Sequence, residues 1–172
     1  MAVLAALVGV PHEQTHASTL EAWSGLASLE LPLGAVASRQ SSKLYLVQPA
    51  KGGRNVLLAL TLHALSKEEQ AASSQTLGNL RKRSFERDGF KVSRFVVDPK
   101  RGRISMEVSG RATKKDVPLD FKTASAMVQG RFVAIRSGAR YVSALVVSER
   151  KNWASKPTEG YRRAADRLRV KR

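Results

Sequence analysis

Phe90 to Gly110 reads FKVSRFVVDPKRGRISMEVSG, and this stretch decides the fold. Apolar residues recur at every second position on either side of Asp98-Pro99-Lys100-Arg101-Gly102, a run of turn formers. The pattern predicts a strand over 90–97, a tight turn and a strand over 103–110, because side chains on a strand alternate between faces while Pro and Gly fix turn geometry. In the second arm Ile104, Met106 and Val108 share one face. Arg103, Ser105, Glu107 and Ser109 share the other, which is expected to be wet.

Toward the C-terminus, residues 111–118, RATKKDVP, read as a charged loop. Leu119 to Val128, Arg131 to Arg136 and Arg140 to Val147 then read as three more strands, with Gln129-Gly130 and Ser137-Gly138-Ala139 as hairpin links. The result is an antiparallel meander of about five strands, with Arg131, Arg136 and Arg140 at strand ends. Trp153 lies in a polar loop, and Thr158 to Arg169 reads as a closing helix with Tyr161, Ala165 and Leu168 on its inner face.

Toward the N-terminus, Ser66-Lys67-Glu68-Glu69 has the spacing of a capping box, with the Ser66 hydroxyl accepting from the amide of Glu69 while the Glu69 carboxylate reaches back. A long helix is expected from there to about Arg87, with a thin stripe of Ala72, Thr76 and Leu80 beside Leu77 and Ser84. Arg81, Lys82, Arg83 and Arg87 crowd its end. Structurally such cations complement the helix dipole; functionally they form an anion-binding rim. Arg54 to His63, RNVLLALTLH, is apolar through its middle and reads as a central strand covered on both faces, with a buried helix as the rival. Lys43 to Gln48 is a further strand, and Leu29 to Arg39 gives two short extended pieces bent around Pro32 and Gly34. The fold class is therefore α+β: a curved antiparallel β-sheet meander flanked by one long helix and a C-terminal helix.

The 172 residues suit a single hydrophobic core. With 42% hydrophobic and 26% charged residues the composition is that of a globular domain. The sign of the charge is unusual. Thirty Lys and Arg against fourteen Asp and Glu give +16, and nearly all of the excess lies beyond residue 50, since residues 1–50 hold only Arg39 and Lys43 against Glu13, Glu21 and Glu30. Such a field speeds encounter with acidic or phosphate-rich partners, although it also arises as general surface charge with no dedicated ligand. No cysteine is present, which excludes disulfides, thiolate metal sites and a Cys nucleophile.

Ala2 to Val10, AVLAALVGV, is too short to cross a bilayer as a helix but has the length of a signal-peptide core. Thr15-His16-Ala17 puts small residues at the positions a signal peptidase reads before Ser18. No Lys or Arg precedes the run, so residues 1–17 read as a truncated signal peptide or a disordered arm, and 18–172 as one α+β domain. A packed N-terminal segment of a cytosolic protein is the alternative; export to the periplasm or beyond is favoured.

The sequence offers little chemistry. His12 and His16 have the i, i+4 spacing of a helical metal pair but lack a third ligand, and a zinc site needs three or four convergent donors. His63, ending an apolar strand, reads as a satisfied imidazole. Asp116 and Asp120 have the makings of an acid–base pair but read more simply as local charge partners. There is no phosphate-cradling glycine loop and no GxSxG elbow. No catalytic residue, metal or cofactor is assigned.

What remains is basic surface. Arg81, Lys82 and Arg83 form one cluster; Arg150, Lys151, Arg162, Arg163, Arg167 and Arg169 form a denser one, interleaved with Trp153 and Tyr161. Binders of single-stranded nucleic acid stack bases on rings while cations track phosphates. Anchoring of the two rings in the core is the favoured reading of Trp153 and Tyr161.

The order of elements resembles the PsbP-like superfamily, which includes DcrB-type bacterial envelope lipoproteins. LPLG at residues 31–34 looks like the opening strand, LSKEEQ at 65–70 resembles the capped helix, and GRFVAIRSGARYVSALVV at 130–147 is similar to the paired late strands. The likeness spans most of residues 28–170. It implies a non-catalytic adaptor or assembly module, often outside the cytoplasm, here without a lipobox cysteine for anchoring. The expectation is a binding module that docks an acidic protein, an anionic membrane or an envelope component through a basic face, with nucleic-acid binding as the alternative.

Overall fold

A computed structural model describes residues 14–15 and 18–171. The expected signal segment 1–17 and the pair His12 and His16 therefore lie outside the described residues, apart from Gln14–Thr15. Eleven strands among the described residues form two antiparallel sheets. The strands are β1 (Gln14–Thr15), β2 (Thr19–Ala22), β3 (Ala27–Glu30), β4 (Ala35–Ser41), β5 (Leu44–Pro49), β6 (Val56–Ala64), β7 (Lys91–Asp98), β8 (Arg103–Thr113), β9 (Ser125–Ser137), β10 (Arg140–Glu149) and β11 (Arg169–Val170). The large sheet has the order β1-β4-β5-β6-β10-β9-β8-β7 and the small one β11-β3-β2. Three α-helices accompany them: α1 (Lys67–Ala71), α2 (Ser74–Arg87) and α3 (Lys156–Asp166).

The large sheet is the middle layer. In β6, Leu57 and Ala59 join the core beneath α2, with Leu77, Phe90, Met106 and Phe132. Val56, Leu58 and Leu60 face the other way, toward α3 and the small sheet, with Leu20, Leu29, Tyr161 and Ala165. Successive residues point to opposite faces, so a strand apolar at every position must be covered on both. The central position expected for Arg54 to His63 is the one found.

The hairpin of β7 and β8 is as expected, with Gly102 at φ 58° closing its turn. The outer face of β8 is less wet than its alternation predicts. Ser105 is buried, and Arg103 bonds to the carbonyl and carboxylate of Asp166 at the end of α3.

Three expectations are corrected. The meander has four strands, because 125–137 is one continuous strand through Gln129-Gly130. Gly130 serves close packing: a Cβ there would lie 2.9 Å from Val108 Cγ2 and 3.0 Å from the Val146 carbonyl oxygen. Arg131 is consequently mid-strand, and residues 119–124 form no strand.

The long helix is broken. After the capping box at Ser66, Ser73 supplies a second N-cap by accepting from the amide of Thr76 at 3.1 Å. Arg136 braces the break by donating to the carbonyls of Ala72, at 3.0 Å, and Gln70. The helix then buries Leu77 and Gly78 and leaves Leu80 exposed, unlike the predicted stripe.

The last helix ends at Asp166, and Arg169–Val170 turns into a strand on β3. Tyr161, Ala165 and Leu168 are nonetheless all buried, as the spacing predicts.

Candidate functional site

The two basic clusters lie on opposite faces of the large sheet, because α2 packs on one core and α3 on the other. Arg81, Lys82 and Arg83 therefore do not share a surface with Arg150, Lys151, Arg162, Arg163, Arg167 and Arg169, and the single basic face expected from sequence divides in two.

On α2, Arg81 is held by Glu69 at 2.8 Å and lies over the Tyr141 ring, 4.7 Å from its centroid. Lys82 pairs with Glu86 at 3.7 Å and approaches the Phe95 ring, while Arg83 is exposed.

The α3 side is richer. Residues 150–171 carry eight Lys and Arg against Glu159 and Asp166. Ser155 caps the helix and Pro157 enters its first turn, where a missing N–H costs nothing. Burial of Tyr161, Ala164 and Ala165 turns Arg163 outward, 67% exposed and paired with Glu159 one turn back. Arg167 and Arg169, the latter 80% exposed, share Glu30 at 3.1 and 3.9 Å. Lys151 holds Glu149 at 2.8 Å, and Arg150 is exposed in the adjoining 3-10 turn. These carboxylates neutralise only part of the cationic charge.

Trp153 and Tyr161 are 8% and 3% exposed and belong to the core beneath α3. The Arg162 guanidinium covers the Trp153 ring at 5.0 Å. Neither ring presents a free face for base stacking. The Tyr161 hydroxyl is buried without a partner, and burial pushes its pKa well above the ordinary value.

A second feature was not expected. Between α2 and the sheet lies a hollow with about 130 Å³ of room. Its floor is three cross-strand pairs of β6 and β10: His63 with Tyr141, Thr61 with Ser143, and Ala59 with Leu145. The pairs grade from polar to apolar. Phe132 completes the floor, and Arg81, Ser84, Phe85 and Asp88 close it from one face of α2. His63 Nε2 lies 3.1 Å from Ser143 Oγ, and its ring stacks on Tyr141 with centroids 4.4 Å apart.

Burial and the nearby Arg81, followed by Lys43, lower the His63 pKa to about 4 against an opposing effect of Glu69. Burial raises that of Tyr141 to about 12. The satisfied imidazole expected of His63 is what the structure shows. The sequence signal for the hollow was polar residues two apart inside apolar strands, Thr61 and His63 in one and Tyr141 and Ser143 in the other.

The Ser143–His63 contact lacks the rest of a hydrolytic site. Glu69 directs its two oxygens to the Ser66 amide and to Arg81. Ser143 sits within a strand paired on both sides, so the surrounding amides are engaged in ladder bonds and unavailable to stabilise an oxyanion. Asp116 accepts from the Thr113 amide and hydroxyl, both at 2.8 Å, bonds that hold its carboxyl below the usual range. Asp120 accepts from the Arg54 amide at 2.6 Å. Each carboxylate fastens a loop. Among the described residues no group of three or more His, Cys, Asp and Glu is placed to hold a metal, and no helix is long and apolar enough to cross a membrane.

No protein-family model matches the sequence, and no curated protein matches it. Solved structures do resemble it. The solution structure of cyanobacterial PsbP (CyanoP) from Synechocystis sp. PCC 6803 covers 95% of each chain with a TM-score of 0.58 at 8% identity. A crystal structure from Bacteroides thetaiotaomicron VPI-5482 aligns with 92% of this chain and 50% of that one, with a TM-score of 0.51 at 8% identity. The chain has a PsbP-like fold, as the element order implied.

Proposed function

We propose that the protein is a non-enzymatic binding or assembly module that docks an anionic partner, an acidic protein or an anionic membrane or envelope component, through the α3 face. The observation that carries this reading is the outward set of Arg163 on α3, Arg167 at its C-terminal cap and Arg169 on β11, with Arg150 and Lys151 in the 3-10 turn that leads into α3, a helix whose inner side is packed into the core. Cations mounted on packed elements hold fixed positions, and partly paired guanidinium groups keep donors for an incoming anion. Charge reversal at Arg163 and Arg169 should weaken docking steeply and leave the fold intact. Arg162 is a poorer choice of variant because it covers Trp153.

The nucleic-acid alternative would rest on phosphate attraction alone, since Trp153 and Tyr161 are packed inside. A filter-binding titration on DNA and RNA across salt separates the two readings, because phosphate contacts make log affinity fall linearly with log salt. No retention at low salt removes the alternative. Action outside the cytoplasm is part of the proposal and rests on the apolar run Ala2 to Val10 with small residues before Ser18. Cleavage there would remove β1 and leave β4 as a sheet edge. N-terminal sequencing of the native protein tests export: a start at Ser18 supports it, and an intact Met1 in the cytosol contradicts it.

A further inference from the structure

The hollow between α2 and the sheet has a chemistry of its own, independent of the α3 face. Thr61, His63, Ser143 and Arg81 gather at one end; Ala59, Leu145, Phe132 and Phe85 line the remainder, with Ser84 and Asp88 on the helix side. Ligand sites combine an apolar wall with a few convergent polar groups in this way. The polar end is cationic. Arg81 engages Glu69 through Nη2 and keeps 28% of its side chain exposed. Lys43 borders a second hollow that shares Thr61 and His63. The room available, about 130 Å³, is close to that of cavities of about 150 Å³ that hold a benzene ring.

We propose that this hollow binds a small amphipathic carboxylate, its apolar body of about ring size against Phe85, Phe132 and Leu145 and its carboxylate among Arg81, His63, Thr61 and Ser143. The part-exposed Arg81 guanidinium and the hydroxyls of Thr61 and Ser143 are donors at the same end for a carboxylate. Carboxylate binding also predicts a proton effect. The ionisable groups around His63 are Arg81 and Asp88 of α2, Glu69 of α1, Lys43 beside β5 and Tyr141 of β10. An added anion favours the protonated imidazole, so the bound ligand should move His63 titration to higher pH.

The experiment is a titration of the full chain with benzoate, with benzamide as the uncharged counterpart, followed by heteronuclear NMR. Shifts should centre on Thr61, His63, Phe85, Tyr141 and Ser143. Benzamide should bind at least about tenfold more weakly, the loss of one charge-assisted hydrogen bond, and Arg81→Met should cost benzoate a similar factor. Ser84→Phe fills the hollow from the helix side without deleting a core group and should abolish binding with the thermal melt retained. Shifts confined to Arg163, Arg167 and their neighbours would overturn the proposal. Equal affinity for benzoate and benzamide, or benzoate binding that survives both substitutions, would do the same.

Discussion

Arg131 donates from both Nε and Nη2 to one oxygen of Asp166, Oδ1, at 3.1 and 3.0 Å. Arg103 reaches the same oxygen at 3.4 Å and the Asp166 carbonyl at 2.9 Å. One carboxylate thus fastens the C-terminal end of α3 to β8 and β9 and fixes where the outer arginines stand.

Asp166→Ala should therefore lower stability by about 1–2 kcal/mol, a figure reduced for the partial exposure of the carboxylate and resting on Arg131 left without its acceptor and Arg103 left with the main-chain carbonyl alone. Asp166→Asn keeps an acceptor oxygen and should lose less. Urea denaturation of the two variants beside the parent checks the order; equal losses would show that a neutral acceptor cannot stand in for the carboxylate, and no loss in either would show that the Asp166 side chain does not fasten the helix.

Gly130→Ala should cost about 1–3 kcal/mol by overpacking, because the new methyl meets the backbone oxygen of Val146 as well as the Val108 side chain, and a strand carbonyl cannot rotate aside. A thermal melt reports the loss. An unchanged melt would mean that β9 is not held this closely between β8 and β10.

Gly130 also shows where sequence reading stopped. Gln129-Gly130 between two apolar runs has the chemistry of a two-residue hairpin link, and nothing local distinguishes a turn glycine from one that admits neighbouring strands. The same holds for Ser73, whose power to restart a helix depends on the bracing of Ala72 by Arg136, a residue distant in sequence. Patterns of period two and the Ser66 cap were legible because they are local: β7, β8, β6 and the inner face of α3 came out where alternation and helical spacing put them. The basic residues were legible as types but not as a surface. Their division depends on which side of the sheet each helix packs, and that is set by the non-local order of strands. The polar residues of the hollow were legible in the same way, but not their meeting, since its floor forms only when β6 and β10 pair in register.

Stability should fall as the pH is lowered from about 6.5 to about 4 through His63. In that window the unfolded chain takes up a proton on this imidazole that the folded protein refuses, so unfolding gains and stability rises with pH. Above the window both states are neutral at this site, and below it both are charged. Replacing His63 with Gln removes this proton uptake, and the parent should lose about 1–3 kcal/mol more than the variant between pH 7 and pH 4.5. Urea midpoints at the two pH values decide; parallel losses would show that the imidazole is not held neutral by its surroundings.

The two basic surfaces can be told apart directly by co-sedimentation with vesicles of phosphatidylglycerol and phosphatidylcholine in equal parts, measured across salt for the parent, for Arg163→Glu with Arg169→Glu, and for Lys82→Glu with Arg83→Glu. If the α3 face docks anionic partners, the first pair loses at least about tenfold in affinity and flattens the salt dependence, while the second stays near the parent. Equal losses in both pairs, or no loss in the α3 pair, would contradict the account.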